Sequence, residues 1–296
     1  MRALEHLDWY SRYKDKSNKV CPYCASHLFT PEIPSDKEHL IGRRFVPTGS
    51  FERDGRFNFQ FRACRDCNGV KAERERHVSS VTLYNGLPLY DEDVRAIAIN
   101  KASKDFHPDK KGKVVMDAHG EMKVSGKMGQ IPMTFGLHSP PQLNSDYVRD
   151  LAFFHIQGLG SMISTHDHLK IEGMGIIPYG TLYSFGFFQH SDWGNVQLIE
   201  LARRFQGLQE ILQLDTAAGF FRAIIYKDAP SGDWYWILEW NKVCRVYGAV
   251  TKDGQRPLLY ADLPQHKWVQ VSPTRRMRVN IALQEDKGDI FQRHFQ

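Results

Sequence analysis

The spacing of apolar residues is clearest in the second half of the chain, where it predicts two helices. An Asn-Ser-Asp start signal at 144–146 precedes YVRDLAFFHIQGLGSMIS, which places Val148, Leu151, Phe154 and Met162 on one side of a helix. A second helix is predicted over about 193–213, where large apolar residues again recur at helical intervals. Both patterns are typical of helices that bury one face.

Strands are predicted around these helices. The stretch 176–188 is apolar and interrupted by glycine, and five later segments are rich in β-branched and aromatic residues: FFRAIIYKD, DWYWILEW, KVCRVYGAV, KWVQV and MRVNIAL. We therefore expect an α+β domain over 145–296, with a mainly antiparallel sheet packed on one or two helices. The aromatic residues of DWYWILEW favour a core or interface position over stacking on bases.

The first half of the chain has weaker periodicity and divides into three parts. Residues 1–19 predict a short helix, and 20–80 form a module bounded by cysteines. Residues 81–144 are rich in lysine, glycine and proline, which indicates short strands and loops that link two bodies. Within this linker, 114–116 and 122–124 predict a β-hairpin that turns at 117–120.

Composition places the chain among globular proteins, with 42% hydrophobic and 12% aromatic residues. We expect a cytoplasmic protein without a membrane span, because no secretory signal opens the sequence and no run reaches about 18 apolar residues. The net charge is +5, and residues 1–80 hold 15 basic and 11 acidic side chains, an excess of +4. This balance permits nucleic-acid binding without requiring it.

Four of the five cysteines form two Cys-x-x-Cys pairs, Cys21 with Cys24 and Cys64 with Cys67. Two such turns supply the four soft ligands that tetrahedral zinc prefers, so the pattern predicts a structural Zn²⁺ site. A redox role is the alternative, and it is disfavoured because two pairs occur together. The fifth, Cys244, lies in an apolar run and is expected to be a small buried hydrophobic residue.

A second group of polar residues lies between and after the cysteine pairs. Glu38 and His39 begin an apolar stretch, and the second pair runs directly into Asn68 and Lys71. The order Cys-x-x-Cys, acidic-His-apolar, Cys-x-x-Cys-Asn-x-x-Lys resembles the zinc-stapled branch of the HNH (ββα-metal) endonucleases. The resemblance covers roughly residues 20–76, about a fifth of the chain.

The resemblance implies a β-hairpin followed by a helix, with one catalytic divalent ion at the centre, and it implies a role for each matching residue. His39 matches the general base that activates the attacking water. Glu38 and Asn68 match the ligands of the catalytic ion, Mg²⁺ or Mn²⁺. Asn58 matches loosely the asparagine that orients the base, since it lies one residue farther from Cys64 than the family pattern suggests.

The chemistry of phosphodiester hydrolysis suits these residue types. An imidazole has a pKa near neutrality, which a general base requires, and carboxylate and amide oxygens are the hard ligands that magnesium and manganese prefer. Adjacent residues on a strand point to opposite faces, so Glu38 and His39 need a local twist or bulge to serve one site.

Each of these residues also has a simpler interpretation. Glu38 could pair with Arg43 or Lys37 on the surface, and Asn68 could cap the following helix. Three basic residues are candidate phosphate contacts, although exposed basic residues are common without such a role: Arg43, Arg44 and Lys71. The histidines at 166 and 168 flank an aspartate, and without a third spaced ligand they are expected to be loop residues rather than a second metal site.

The leading hypothesis is a metal-dependent endonuclease that cuts DNA, in which the zinc module performs the chemistry and 145–296 selects the substrate or a protein partner, or mediates self-association. The competing hypothesis is a non-catalytic zinc-binding module that docks nucleic acid or protein. Deployment in a defence or restriction system is a further expectation, based on analogy alone.

Overall fold

The fold is taken from a computed structural model. It describes most of the chain, in these ranges: 18–28, 30, 32–53, 58–165, 177–272, 275–280 and 290–291. The helix predicted over 1–19 and the histidines at 166 and 168 therefore lie outside the described residues, apart from the last two positions of that helix.

The N-terminal unit is a two-stranded antiparallel hairpin followed by a long helix. Strand β1 (Ser35–His39) pairs with β2 (Gln60–Cys64), and helix α2 (Arg65–Asn85) begins directly after β2. A short helix, α1 (Ser50–Arg53), lies in the connection between the strands. The side chain of Asn18 fixes the preceding segment to β2, because it donates to Arg62 O over 2.9 Å and accepts from Arg62 N over 2.8 Å.

The linking segment contains more structure than its sequence predicts. Helix α3 (Glu92–Ala102) begins after Asp91, whose carboxylate accepts a hydrogen bond from Val94 N over 2.9 Å. The predicted pairing of 114–116 with 122–124 is absent, because 115–117 form a short 3-10 helix and 122–124 pair with 135–137 instead. A hairpin forms farther along the chain, where β3 (Gly120–Met128) pairs with β4 (Ile131–Ser139). The turn contains Gly129 at φ +63°, a backbone conformation that glycine adopts without strain. The prediction of a turn at 117–120 was therefore wrong.

The second body is a five-stranded antiparallel sheet covered by helices, which confirms the α+β class. Helix α4 (Ser145–Thr165) confirms the helix predicted from residue 145. The strand order is β5-β9-β8-β7-β6. Its strands are β5 (Leu182–Gln189), β6 (Gln209–Thr216), β7 (Phe221–Lys227), β8 (Trp234–Trp240) and β9 (Cys244–Val250), and a separate two-stranded ribbon is formed by β10 (Lys267–Ser272) and β11 (Arg275–Val279).

The helix predicted over 193–213 is only partly correct. Helix α5 covers Val196–Phe205, and the chain then turns at Gly207 and continues as β6. Leucines 208 and 212 continue the helical spacing by coincidence, because β6 buries Leu212, Leu214 and Thr216 at every second position, as a strand does. Pairing of β6 with β7 therefore outweighs the helical pattern.

Both faces of the central sheet are buried, which explains why β8 reads as a continuous apolar run. On one face, Trp236, Leu238 and Trp240 join a core that also contains residues of α2, α4 and the hairpin. On the other face, Tyr235 and Ile237 pack with α5. Lone Cys244 is fully buried, as its sequence context predicts.

The N-terminal unit and the sheet share this core, so the predicted boundary at residue 80 falls inside α2. The turn between β8 and β9 projects into the N-terminal unit. Asn241 donates from Nδ2 to Thr82 Oγ1 over 2.8 Å, and its backbone oxygen accepts from Tyr90 Oη over 2.5 Å. In the described parts of the chain, none of the helices is long and apolar enough to cross a bilayer.

Candidate metal cluster and adjoining cleft

The four paired cysteines converge on one point of the N-terminal unit. Cys21 and Cys24 lie in a turn closed by a hydrogen bond from Ala25 N to Cys21 O of 2.9 Å. Cys64 ends β2 and Cys67 lies in the first turn of α2. Their sulfur atoms all lie within 4.8 Å of one another, and Cys24 Sγ and Cys64 Sγ are 3.7 Å apart.

These separations fit a tetrahedral metal. Zinc bonded to four thiolates at about 2.3 Å places neighbouring sulfurs about 3.8 Å apart. A hydrogen bond from the Cys67 thiol lowers the pKa of Cys21 to about 5, so a thiolate is available at neutral pH. Burial raises the pKa of Cys64, and the hydrogen bond with Cys21 raises the pKa of Cys67, so a metal would displace the protons of these two thiols on binding. The cluster could hold a metal such as zinc.

A cleft of about 490 Å³ adjoins this cluster, and it collects residues from β1, α2 and the loop after β1. Glu38, His39 and Asn68 all line it. Strand β1 pairs with β2 without a bulge and ends at His39, so the alternation of the pleat stops there and two consecutive residues reach one cleft. Of the twist and the bulge expected as alternatives, the bulge is absent.

The imidazole of His39 is partly buried, and its Nε2 atom has no hydrogen-bond partner in the described structure. Burial lowers the pKa of His39 to about 4, and the positive charges of Lys37 and Arg43 act in the same direction. The ring is therefore neutral at pH 7, and its Nε2 is enclosed rather than exposed to the cleft. The pKa lies below the near-neutral value that the sequence analysis expects of a general base.

Asn58 lies beside the cleft and fixes the chain that leaves β1. Its Nδ2 donates to Ile41 O over 2.8 Å, and its Oδ1 accepts from Ile41 N over 3.2 Å. Asn58 thus holds the backbone two residues after His39 and does not contact the imidazole through any of these bonds. Its influence on His39 runs through the backbone.

Asn68 lies inside the first turns of α2, half-buried, and faces the cleft. The N-cap of α2 is Cys64, four residues earlier, so the capping interpretation of Asn68 was wrong. The amide is thus free of that structural role.

Lys71 is placed differently from the sequence prediction of a phosphate contact. It is 1% exposed, because its ammonium lies between two carboxylates, 2.7 Å from Glu38 Oε1 and 2.7 Å from Glu75 Oε1. It also donates to His39 O over 3.1 Å. A lysine enclosed in this way cannot reach a phosphate, and it fixes Glu38 and the backbone of His39 instead. The surface pairing of Glu38 with Arg43 or Lys37 was likewise wrong, since Glu38 is buried.

Glu75 is a cleft residue that the motif did not identify. Its Oε1 accepts from Gly42 N over 2.8 Å as well as from Lys71. A Cβ at position 42 would lie 2.1 Å from Glu75 Oε2, so a larger residue there would displace the carboxylate from Gly42 N and Lys71. The spacing of Asn68, Lys71 and Glu75 at intervals of three and four places them on one face of α2, a signal available in the sequence.

The loop after β1 carries Arg43 and Arg44 exposed on the rim of the cleft. It is held at both ends: Glu75 accepts from Gly42 N, and Ser79 Oγ donates to Phe45 O over 2.7 Å. With Lys37, Arg76 and Lys101, five basic residues line the cleft against three acidic ones, a surplus of two positive charges. A fixed basic rim around a partly acidic floor suits a phosphate group bound together with a cation.

Helix α4 reaches the cleft floor through His155, which is fully buried. Its Nε2 lies 3.6 Å from Glu75 Oε1, and its ring packs against Phe45, Phe221 and Trp240. No short-range sequence signal indicates this contact, because 80 residues separate His155 from Glu75.

Removal of the Lys71 ammonium should strongly destabilise the fold. We expect Lys71→Met to lower the free energy of unfolding by about 3–5 kcal/mol, because two buried carboxylates then lose their shared cation. Urea denaturation followed by circular dichroism measures this loss. Lys101→Met is the matched control, because its pair with Asp105, 3.1 Å long and also spaced i,i+4, is only partly buried and should contribute less than about 1 kcal/mol. Equal losses for the two variants would contradict the buried network.

Stability should also fall with acidification because of His155. Burial lowers the pKa of His155 to about 4, whereas an unfolded histidine titrates near 6.5. The unfolded chain therefore binds more protons between these values, so the contribution is complete above pH 6.5 and is lost as the pH falls toward 4. We expect His155→Phe to flatten the pH dependence of urea midpoints over this range, and exposed His138→Phe to leave it unchanged; an identical slope in both variants would refute the assignment.

Comparison of the chain with models of known families, with curated proteins and with solved structures returned no match. The function must therefore be argued from the cluster and the cleft themselves.

Proposed function

We propose that this chain is a metal-dependent endonuclease of the HNH type that hydrolyses DNA phosphodiester bonds. The observation that supports this proposal most strongly is the common cleft of Glu38, His39 and Asn68. These three residues are separated by up to 30 positions in the sequence, and the family resemblance assigns all three to one active centre. A hairpin, a helix and a four-cysteine cluster surround them in the order that the resemblance implies.

The cleft provides a base for the attacking water. Neutral His39 would accept the proton of the attacking water as the water oxygen bonds to phosphorus and the bond to the leaving oxygen breaks. Lys71 donates to the backbone oxygen of His39, and Asn58 donates to the backbone oxygen of Ile41 in the segment that follows. These contacts fix the backbone that carries the imidazole, and accurate positioning is a requirement of a general base.

The cleft also fits a hard cation. Glu38 and Asn68 offer carboxylate and amide oxygens, and Mg²⁺ and Mn²⁺ typically bind through one or two carboxylates while they keep several waters. Glu38 and Glu75 together carry two negative charges against the single charge of Lys71, so one negative charge remains to attract a cation. Such an ion, when bound, stabilises charge on the phosphoryl and leaving oxygens. Arg43 and Arg44 on the rim would position the phosphate backbone.

A second candidate function is a zinc-binding module that docks nucleic acid without cutting it. The pairing of Glu38 with Lys71 favours this alternative, because a carboxylate already satisfied by an ammonium can be purely structural. Its weakness is the convergence of His39 and Asn68 in the same cleft as Glu38, which a docking module does not need.

Cleavage of supercoiled plasmid separates the two candidates. The purified, zinc-loaded chain should convert the plasmid to relaxed or linear forms when Mg²⁺ or Mn²⁺ is added, and should leave it intact without a divalent ion. Plasmid that stays supercoiled with either ion, while the protein is folded and binds DNA, would reject the nuclease and support the docking module.

A further inference from the structure

The ribbon of β10 and β11 stands apart from the central sheet and exposes both of its faces. The described side chains of β10, from Lys267 to Gln270, are all exposed. Trp268 and Val269 are adjacent in the strand and are 48% and 50% exposed, although consecutive residues point to opposite sides. Side chains in this position add little to the core, and a half-exposed tryptophan beside a valine is typical of a contact surface.

The charge of this ribbon has a single sign. Residues 267–279 contain four basic side chains and no acidic one, a charge of +4. The other isolated hairpin, formed by β3 and β4 over 120–139, has two lysines and one glutamate, a charge of +1. The ribbon is therefore the more strongly basic of the two.

The register places Arg276 and Arg278 on the face of Trp268, and it places Lys267 on the opposite face. Trp268 is opposite Arg278, and Gln270 is opposite Arg276, so these four side chains share a face. The guanidinium of Arg276 lies 4.9 Å above the ring of Trp268. Arg278 pairs with Asp192 at the base of the ribbon, and Asn280 donates to Ser191 O over 3.0 Å. The base is thus anchored, while Arg276 and Lys267 are left on the exposed part.

We propose that the ribbon formed by Lys267–Ser272 and Arg275–Val279 is a DNA-binding arm that contacts duplex DNA outside the cleft. This inference rests on the proposed function and identifies the surface of the second body that would select the substrate. The major groove is about 12 Å wide and admits a two-stranded β-ribbon. Basic charge of one sign complements phosphate, whereas an apolar protein partner would leave Arg276 and Lys267 without counter-charges.

Salt-dependent DNA binding tests the arm. Affinity for a duplex oligonucleotide is measured by fluorescence anisotropy at several salt concentrations, with the full zinc-loaded chain in a His39→Ala background that prevents cleavage. The double variant Lys267→Ala/Arg276→Ala should bind more weakly, and the slope of log K against log salt should fall by about 1.8, or about 0.9 for each lost phosphate contact. Arg278 is left intact because it anchors the ribbon.

The matched control is Lys123→Ala/Lys127→Ala, which removes the same charge from the exposed lysines of the other hairpin. Its slope should remain that of the parent. Equal changes of slope in both double variants would indicate general electrostatic attraction and would overturn the proposed arm. An unchanged slope in the ribbon variant would also overturn it and would indicate that the surface contacts a protein partner.

The result can be separated from the test of the nuclease. In the cleaving protein, the ribbon variant should raise KM for DNA and leave kcat unchanged. Wild-type cleavage with a KM that the ribbon variant does not alter rejects the arm alone. Ribbon-dependent binding without cleavage rejects the nuclease and retains the arm.

Discussion

His39→Ala should lower the rate of plasmid cleavage by about 100- to 10,000-fold, the usual contribution of a general base. The physical reason is that the His39 ring lines the cleft and is neutral at pH 7, because burial lowers the pKa of His39 to about 4. Cleavage rates at saturating Mg²⁺, measured with matched zinc content and matched circular dichroism spectra, give the comparison.

Chemical rescue distinguishes a lost base from a damaged fold. Imidazole added to His39→Ala should restore part of the rate, because the truncated side chain leaves room for it in the cleft. The same compound should not accelerate the wild type. A His39→Ala variant that cleaves as fast as the wild type would defeat the assignment of the base.

Loss of the cysteine cluster should unfold the N-terminal unit rather than only slow DNA cleavage. We expect Cys67→Ser to lose bound zinc and its cooperative thermal transition, since structural zinc in small peptides contributes about 10–16 kcal/mol of apparent binding free energy. The consequence reaches the cleft, because Cys64 and Cys67 join β2 to α2, which carries Asn68 and Glu75. Zinc content by atomic absorption and a thermal melt measure the effect.

Cys244→Ala is the matched control for this experiment. Cys244 is buried in β9, outside the cluster, so its substitution should leave zinc content unchanged and cost only the small packing energy of one sulfur. A Cys67→Ser protein that retains an unchanged cooperative melt would show that the cluster does not hold the unit together.

The sequence predicted those features that depend on local pattern or ligand chemistry. The helix that begins at Ser145 has a start signal and an apolar face, and it is present. The strands rich in β-branched and aromatic residues are also present, because their alternating or continuous apolar residues are visible in the sequence. The four cysteines also meet as predicted, because their spacing forms two turns that bring sulfurs to one point.

Features that depend on tertiary contacts could not be predicted in this way. Leu212 continues a helical pattern but belongs to β6, because pairing with β7 decides its conformation. Lys71 looks like an exposed basic residue beside a zinc motif, and only the fold encloses it between Glu38 and Glu75. His155 reaches Glu75 because α4 packs on α2, a contact with no counterpart in the local sequence.

The second body therefore supports residues of the cleft from behind, without lining it. His155 from α4 contacts the floor beside Glu75, and Trp240 from β8 packs on Phe45 at the end of the loop that carries the rim arginines. The N-terminal unit and the sheet share one core, and α2 runs through residue 80. The predicted boundary at residue 80 therefore does not fall between two separate cores. A truncated protein with the N-terminal unit alone would lack these contacts. The full chain is therefore the appropriate protein for each experiment.

The most direct test of the account is whether a hard cation binds in the cleft beside the cysteine cluster. Calorimetric titration of Mn²⁺ into the zinc-loaded chain should show one site, and Asn68→Ala should weaken it about 10-fold or more, a loss of about 1.4 kcal/mol. Exposed Asn100→Ala on α3 should leave it unchanged. Mn²⁺ that fails to bind the wild type, or that binds Asn68→Ala with undiminished affinity, would contradict the proposed catalytic centre.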